Sequence, residues 1–336
     1  MAIVHRLLGA PYQDNALFVR VESGQAVYRL LFDCGEKTVS ELPPGEIVKI
    51  DHLFFSHFHL DHVAGLDHFI RLNYNREGKP VNIWGPEKTA TKIFNRLNSF
   101  TWNLLEKSQT DWFVHEVNSN TVSHFLISAR DQFCTIKHLA SEPWSEVIVR
   151  TNDFYVSTIL LDHKIPVLGF KVVEQEKEKV NGQKLRTLNL EAGPWIKQLL
   201  DHSENHEKEI KLNGKQYKLG QLRKILLYHV PGSSLAYLTD FLNTETTAQR
   251  IINWLKGVQI LYCESQYLNA DHALASKNFH LTVEEAAGIA ARSRVQQLFI
   301  FHFSQRYKHL SPLSFLQQAR KIFSNSFLPE GWLNGF

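Results

Sequence analysis

The stretch Ser56-His57-Phe58-His59-Leu60-Asp61-His62 is the part of the sequence that indicates most about the fold and chemistry of the chain. It places three histidines and one aspartate within six residues, directly after the apolar run Leu53-Phe54-Phe55. This order predicts a buried strand that ends in a loop whose side chains converge. Imidazole and carboxylate groups are ligands of zinc, manganese and iron, with zinc the default. The stretch therefore predicts a metal site, and the alternative is a surface loop that is rich in histidine.

The composition is that of a folded protein with a large core. The chain has 336 residues, 43% of them hydrophobic, which suits one large domain or two packed halves. A net charge of +3 permits a polyanionic partner without requiring one. The three cysteines, Cys34, Cys134 and Cys263, form no CxxC pair, so neither a disulfide framework nor a thiolate zinc site is predicted.

The N-terminal residues lack the apolar core of a signal peptide, and no stretch is long enough to span a membrane. A cytoplasmic protein that does not contact membranes is therefore expected.

Strand and helix patterns alternate in both halves of the chain, which predicts an α/β architecture. The first half predicts a hairpin over residues 16–32, a strand over 81–86 and a long helix over 87–105. Consecutive strands follow as far as residue 174. Residues 174–222 are the most polar part of the chain, and the α/β pattern returns after them.

Further histidine and carboxylate side chains stand where predicted strands end. They are Asp33, His163, Asp240, Glu264 and His302, and His280 precedes a helix that opens with a capping box. Each has an ordinary structural interpretation when it is taken alone. A lone histidine after an apolar strand is usually a core or edge residue, and an aspartate there can cap the next helix.

Taken together, these residues resemble the metallo-β-lactamase superfamily, in which such side chains follow strands in this order. Additional marks resemble the ribonuclease Z branch over about residues 1–310; they are Gly169-Phe170-Lys171, Gly193-Pro194, His280, and His302-Phe303-Ser304 with Arg306-Tyr307. The resemblance implies an αβ/βα four-layer sandwich with a protruding substrate arm. It implies a single domain over 1–336, with halves over about 1–173 and 223–336 and the arm over 174–222.

The resemblance also implies two divalent ions per chain, with zinc expected and manganese or iron as alternatives. It assigns His57, His59 and His163 to one ion, Asp61, His62 and His302 to the other, and Asp240 to both. Asp33 is expected to brace the histidine loop. Asp61 would also orient or deprotonate the attacking water, and His280, paired with Glu264, would protonate the leaving oxygen.

The implied reaction is endonucleolytic removal of tRNA 3′ trailers, which leaves a 3′-hydroxyl and a 5′-phosphate. The implied partner is precursor tRNA, and the chain is expected to form a homodimer with no other protein partner. The residues implied in substrate binding are Lys177, Lys179, Lys184, Arg186, Gly193, Pro194, Ser304 and Arg306. A solvated excursion with balanced charges is the alternative interpretation of the arm.

Three departures from the ribonuclease Z pattern bear on specificity. The glycine-rich opening loop is reduced to residues 9–15, the His-Glu-Ala-Thr box appears as Cys263-Glu264-Ser265-Gln266, and Asp240 stands between Thr239 and Phe241. Two alternatives therefore stay open. One is a phosphodiesterase or ester hydrolase acting on a small, cyclic-nucleotide-like substrate, which would not need a basic arm. The other is an inactive scaffold, which would not need a complete set of metal ligands.

Overall fold

Apolar runs in both halves of the chain form strands in the computed structural model, which describes residues 3–23, 26–105 and 108–333. The strands, in chain order, are β1 (Ile3–Leu8), β2 (Ala16–Glu22), β3 (Val27–Phe32), β4 (His52–Phe54), β5 (Val81–Pro86), β6 (Asp111–Val117), β7 (Thr121–Ser128), β8 (Lys137–Pro143), β9 (Val147–Arg150), β10 (Phe154–Asp162), β11 (Pro166–Glu174), β12 (Lys177–Val180), β13 (Glu209–Leu212), β14 (Lys215–Lys218), β15 (Leu227–Val230), β16 (Ser234–Leu238), β17 (Ile260–Glu264), β18 (Gln297–Phe301) and β19 (Ser326–Phe327). The hairpin expected over residues 16–32 is present as β2 and β3.

The longer helices have amphipathic spacing, with apolar residues buried on one face. They are α1 (Pro44–Ile47), α2 (Leu60–Val63), α3 (Leu66–Asn73), α4 (Thr89–Leu97), α5 (Gly182–Thr187), α6 (Trp195–Leu200), α7 (Leu219–Leu226), α8 (Glu245–Trp254), α9 (His272–Asn278), α10 (Val283–Ser293) and α11 (Leu313–Ile322). Helix α4 is shorter than the predicted 87–105, because the Asn98 side chain donates to the Phe94 and Phe133 carbonyls and ends the helix. Helix α10 begins with the predicted capping box, in which the Thr282 hydroxyl accepts from the Glu285 amide. None of the helices in the described ranges has the length and hydropathy needed to cross a bilayer.

The chain divides into two units, residues 1–173 with 233–336, and residues 174–232. In the first unit, β1 to β8 form one sheet in sequence order, and a second sheet has the order β19-β18-β17-β16-β11-β10-β9. The inner faces of the two sheets meet, where the Phe170 ring lies 5.5 Å from Phe32 and 5.2 Å from Phe54. Helices α1, α3 and α4 cover the outer face of the first sheet, and α8, α10 and α11 cover the second. This is the predicted αβ/βα four-layer sandwich.

Strands β3 to β6 of the first sheet run parallel to one another, and so do β16 to β19 of the second. Three residues that follow these strands have left-handed backbone conformations: Asp33 (φ 60°), Asp240 (φ 49°) and His302 (φ 60°). Left-handed residues other than glycine are uncommon and cluster at functional sites. Polar residues therefore lie at the carboxyl ends of the parallel strands in both sheets, which is called the carboxyl edge below.

The second unit, residues 174–232, has its own small apolar core. Six leucines fill it: Leu185, Leu190, Leu199, Leu219, Leu222 and Leu226. Strand β12 pairs with β15, and β13 pairs with β14 across the predicted Asn213-Gly214 turn, where both residues have positive φ. The sequence placed the end of this segment at residue 222, which lies inside α7. Because Leu226 belongs to the leucine core and β15 pairs with β12, the unit continues to Gly232.

The second unit is an insertion between adjacent strands of the first. Val173 on β11 and Ser234 on β16 are opposite each other in the antiparallel register. Within the second unit, a Cβ at Gly232 would lie only 2.1 Å from the Glu174 carbonyl oxygen. The two ends of the inserted segment are therefore close enough for a short linker to join them.

Candidate metal centre

Two groups of potential metal ligands lie at the carboxyl edge of the sheets. The first contains His57, His59, His163 and Asp240, and the second contains Asp61, His62, Asp240 and His302. Within each group, one ligand atom from every residue lies within 4.8 Å of the others. The structure therefore brings together every residue that the sequence singled out as a ligand, from the histidine loop, the β10–β11 turn and the ends of β16 and β18.

The Asp240 carboxylate lies at the centre of both groups. Its oxygens are 3.1 Å from His302 Nε2, 3.4 Å from His62 Nε2, 3.6 Å from His57 Nε2 and 3.7 Å from His163 Nε2. Burial raises the pKa of Asp240, but the His302, His62 and His280 imidazoles outweigh it and hold the pKa well below its usual value. A buried anion thus faces imidazoles from both groups.

Two imidazole nitrogens in the centre are orphaned. His57 Nε2 and His62 Nε2 are buried and have no hydrogen-bond partner among the described residues. Buried polar atoms normally have partners. Orphaned nitrogens that face a shared carboxylate fit a divalent cation with nitrogen and oxygen ligands, so the residues present are able to hold such an ion.

The opposite ring nitrogens are engaged by neighbouring groups. His62 Nδ1 donates to Asp33 at 2.9 Å, His57 Nδ1 contacts the Ser56 hydroxyl at 3.0 Å, and His163 Nδ1 donates to the Phe279 carbonyl at 2.7 Å. A hydrogen bond at Nδ1 fixes the ring orientation and leaves the Nε2 lone pair for a metal. These contacts preorganise one histidine of the second group and two of the first.

Asp33 is the hub of this arrangement. Its fully buried carboxylate accepts from the Ser56 amide at 2.7 Å, from the Ser56 hydroxyl, from His62 Nδ1 and from the Tyr237 hydroxyl at 2.9 Å. The sequence indicated a bracing role for Asp33 but missed Ser56 and Tyr237. Ser56 directly precedes the first histidine, which is a usable signal, whereas Tyr237 lies 204 residues from Asp33 and has no local signal.

Asn15 is a second residue that the sequence did not single out. Its buried side chain accepts a hydrogen bond from the His302 backbone amide at 3.3 Å. Asn15 stands at the end of the shortened opening loop, residues 9–15. The loop therefore supports a candidate ligand even in its reduced form.

Burial and the Asp240 charge shift the pKa values of the imidazoles in the centre in opposite directions. Burial, followed by repulsion from His62, lowers the pKa of His57 to about 2. Burial also lowers the pKa of His302, but Asp240 outweighs it and raises that pKa to about 9. A cation that binds here displaces protons from imidazole, so its affinity depends on pH.

Asp61 is the accessible carboxylate of the centre, with a side chain that is 42% exposed. Its Oδ2 atom lies 3.4 Å from His62 Nε2 and 3.9 Å from His302 Nε2. Burial raises the pKa of Asp61, but the two imidazoles outweigh it and hold the pKa well below its usual value. Asp61 is thus an ionised carboxylate that a substrate or water can reach.

His280 and Glu264 form a pair beside Asp240. Glu264 is fully buried, and its two oxygens accept from the Phe241 amide and from His280 Nδ1, each at 2.9 Å. Burial lowers the pKa of His280, but Glu264 and then Asp240 outweigh it and raise the pKa. Since both Glu264 oxygens are engaged by protein donors, its side chain is arranged to orient His280.

The residues expected to bind substrate lie in both units. Ser304 begins a short 3₁₀ turn, and the Arg306 guanidinium lies 5.9 Å from the Tyr267 ring and 5.7 Å from the Tyr307 ring. The others belong to the second unit: Lys177 and Lys179 on β12, Lys184 and Arg186 on α5, and Gly193 and Pro194 just before α6.

Sequence relatives cover nearly the whole chain. Ribonuclease Z from Deinococcus radiodurans is 36% identical over 98% of both chains. Ribonuclease Z from Chlamydia muridarum is 30% identical over 90% of this chain and 85% of the relative. A family profile described as anti-Pycsar protein Apyc1 matches residues 8–167, which is less than half of the chain.

Solved structures agree on the fold. The metallo-β-lactamase fold protein YhfI from Bacillus subtilis matches with a TM-score of 0.56 at 13% identity, over 97% of this chain and 96% of that one. The human short-form tRNase Z matches with a TM-score of 0.53 at 19% identity, over 92% and 94%. With the metallo-β-lactamase fold and a full-length relative at 36% identity, the chain belongs to the ribonuclease Z family.

Proposed function

We propose that this chain is a metal-dependent endoribonuclease that removes 3′ trailers from tRNA precursors. The convergence of both ligand groups on Asp240, in a chain 36% identical to a ribonuclease Z, carries the proposal. The reaction breaks the bond between phosphorus and the 3′ oxygen of the tRNA portion. It leaves a 3′-hydroxyl on the tRNA and a 5′-phosphate on the trailer.

Two divalent ions fit the two ligand groups. His57, His59 and His163 would hold one ion, Asp61, His62 and His302 would hold the other, and Asp240 would contact both. Zinc is expected from the predominance of imidazole, with manganese or iron as alternatives. When bound, such a pair supplies Lewis-acid activation of water and neutralises charge on the phosphodiester.

The protein's own groups handle the protons. Asp61 is ionised and accessible, so it can orient the attacking water and accept its proton. His280 is held through Nδ1 by Glu264, which leaves its Nε2 atom to donate a proton to the departing 3′ oxygen. In this scheme the exposed Asp61 carboxylate acts on the attacking water, and the mostly buried His280 imidazole acts on the leaving oxygen.

The second unit supplies the charge for binding RNA. It contains 11 lysines and arginines against eight aspartates and glutamates, an excess equal to the +3 of the whole chain. Lys179, Lys184, Arg186 and Lys197 are exposed, and the ion pairs found among the described residues include none of the four. Cations of this kind hold a phosphate backbone without reading its sequence.

The direct test offers purified, zinc-loaded protein a tRNA precursor with a 3′ trailer and, separately, bis-p-nitrophenyl phosphate. We expect one cut after the tRNA 3′ end, a trailer that begins with a 5′-phosphate, and slower hydrolysis of the small ester. Hydrolysis of the small ester with an intact precursor would favour the alternative, a phosphodiesterase acting on a small substrate. A diphosphatase from the PhnP family matches this chain with a TM-score of 0.51, so the fold alone does not decide between the two substrates.

Removing the second unit should separate RNA recognition from hydrolysis. Residues 175–231 would be replaced by a short Gly-Ser linker, because a cut at 175–192 alone would leave β15 unpaired and open the leucine core. We expect precursor cleavage to be lost and hydrolysis of bis-p-nitrophenyl phosphate to survive, since no proposed ligand lies in the deleted segment. Initial rates on both substrates measure this. Undiminished precursor cleavage would remove the unit from the mechanism.

A charge substitution tests the same unit without altering its fold. The variant Lys184→Ala/Arg186→Ala removes two exposed cations from α5. We expect weaker precursor binding and a salt dependence whose slope falls by about 1 for each cation removed. The matched control, Lys208→Ala/Lys218→Ala, removes two cations already paired with Glu204 and Glu207. Equal effects from both pairs would argue against a specific role for α5.

The chain is further proposed to act as a homodimer in the cytoplasm, where tRNA precursors would meet it. The first statement rests on the family resemblance and the second on the expectation from the sequence. Sedimentation of the purified protein measures the first.

A further inference from the structure

The Tyr237 hydroxyl links the two sheets of the first unit at the metal centre. Tyr237 is on β16, three residues before Asp240, and its side chain is buried. Its hydroxyl donates to Asp33 Oδ2 at 2.9 Å, and Asp33 follows β3 in the other sheet. The bond therefore joins the strand that carries Asp240 to the residue that braces His62.

The Tyr237 hydroxyl helps to orient the Asp33 carboxylate, together with Ser56 and His62. Oδ2 is contacted by the Tyr237 hydroxyl and His62 Nδ1, both at 2.9 Å, and by the Ser56 hydroxyl at 2.8 Å, while Oδ1 accepts from the Ser56 amide at 2.7 Å. The Tyr237 ring is packed 6.0 Å from Phe32 and 5.2 Å from Phe301, so the hydroxyl has a fixed position. A carboxylate held from several directions keeps its partner imidazole in one orientation.

We propose that Tyr237 is a positioning residue of the metal centre. It holds the Asp33 carboxylate so that His62 presents Nε2 towards Asp240, and it makes the geometry of the second ligand group depend on the packing of the two sheets. The inference rests on the proposed assignment of His62 as a metal ligand. Loss of the hydroxyl leaves the aromatic packing in place and frees one side of Asp33 Oδ2.

A purely structural role for the Tyr237 hydroxyl would give a different pattern of zinc affinities. Tyr262→Phe is the matched control. Tyr262 lies opposite Tyr237 in the parallel β16–β17 register and is also buried. Its hydroxyl contacts His5 Nδ1 at 2.9 Å, away from both ligand groups. Tyr262→Phe therefore removes a comparable buried hydroxyl without touching Asp33.

The test titrates zinc-loaded wild type, Tyr237→Phe and Tyr262→Phe against a chromogenic zinc chelator. His163→Ala and His302→Ala each remove a ligand of one group only, so they assign the two binding steps. We expect Tyr237→Phe to weaken zinc affinity about 10–100-fold at the ligand group that contains His62. This is the range for groups that orient a metal ligand. Zinc affinity at the other group should change less, and Tyr262→Phe should leave both unchanged.

Several results would overturn the inference. The first is an unchanged zinc affinity in Tyr237→Phe, and the second is an equal loss of zinc affinity in both phenylalanine variants. The third is failure of Tyr237→Phe to fold while Tyr262→Phe folds, because the hydroxyl would then serve folding. A second variant, with p-aminophenylalanine at position 237, restores a donor at the same place and should recover most of the affinity. Wild type that binds no zinc would instead refute the metal assignment, which separates failure of the proposed function from failure of this inference.

Discussion

Replacing Asp240 with asparagine is expected to cost the chain both divalent ions. The variant keeps the shape of the side chain and removes the charge that faces His302, His62, His57 and His163 at 3.1–3.7 Å. Cleavage of precursor tRNA should fall by more than the ~10²–10⁴-fold that one acid–base group contributes, because the substitution disables both ligand groups. Metal analysis of the purified variant, alongside initial rates, measures both effects.

His163→Ala and His302→Ala are the matched comparisons, since each belongs to one ligand group only. Each should lose one ion while retaining part of the other, so that Asp240→Asn loses more metal than either. Wild type that holds a single ion at saturating zinc and manganese would disprove a two-ion centre. An Asp240→Asn variant that keeps both ions would remove Asp240 from its bridging role.

Asp61→Ala and His280→Ala are expected to impair turnover in different ways. Asp61 lies among the ligands of the second group, so its removal should stop cleavage and weaken one ion. His280 is held by Glu264, whose oxygens are both occupied by protein donors, so its removal should slow cleavage by roughly 10²–10⁴-fold with metal content intact. Metal analysis and single-turnover cleavage distinguish the two.

His272→Ala is the control for losing a histidine at one end of α9, since His272 begins this helix and His280 follows it. His272 is exposed, and among the described residues its ion pair is with Glu285. The His272→Ala variant should cleave at the wild-type rate. Loss of metal in His280→Ala would make His280 a ligand, a possibility raised by its grouping with Asp240 and Glu264, and would end its role as proton donor.

The fold and its family could be predicted because their signals are local. A histidine loop after an apolar strand, aspartates at strand ends and a capping box are each written within about ten residues. The resemblance to ribonuclease Z is confirmed by a full-length relative, and the four-layer sandwich by solved structures. The other six candidate ligands lie around Asp240, although their assignment to ions stays a prediction.

Long-range partners could not be predicted in the same way. Nothing near Tyr237 indicates a contact with Asp33, because the pair forms only when the two sheets pack face to face. Asn15 likewise reaches the His302 amide across 287 residues. The end of the inserted unit was misplaced for a related reason. The apolar residues of α7 and β15 suit either unit, and only the folded structure, through the leucine core and the pairing of β12 with β15, assigns them to the second.

The left-handed backbones of Asp33, Asp240 and His302 restrict the evolution of this centre as well as its geometry. Among residues with side chains, asparagine, aspartate and histidine are the ones enriched in this conformation, whereas β-branched residues are strongly disfavoured there. The backbone at these positions therefore accepts the same short set of amino acids that the chemistry needs. Asparagine or glycine at any of the three positions would therefore keep the loop backbone while removing the acidic or imidazole group.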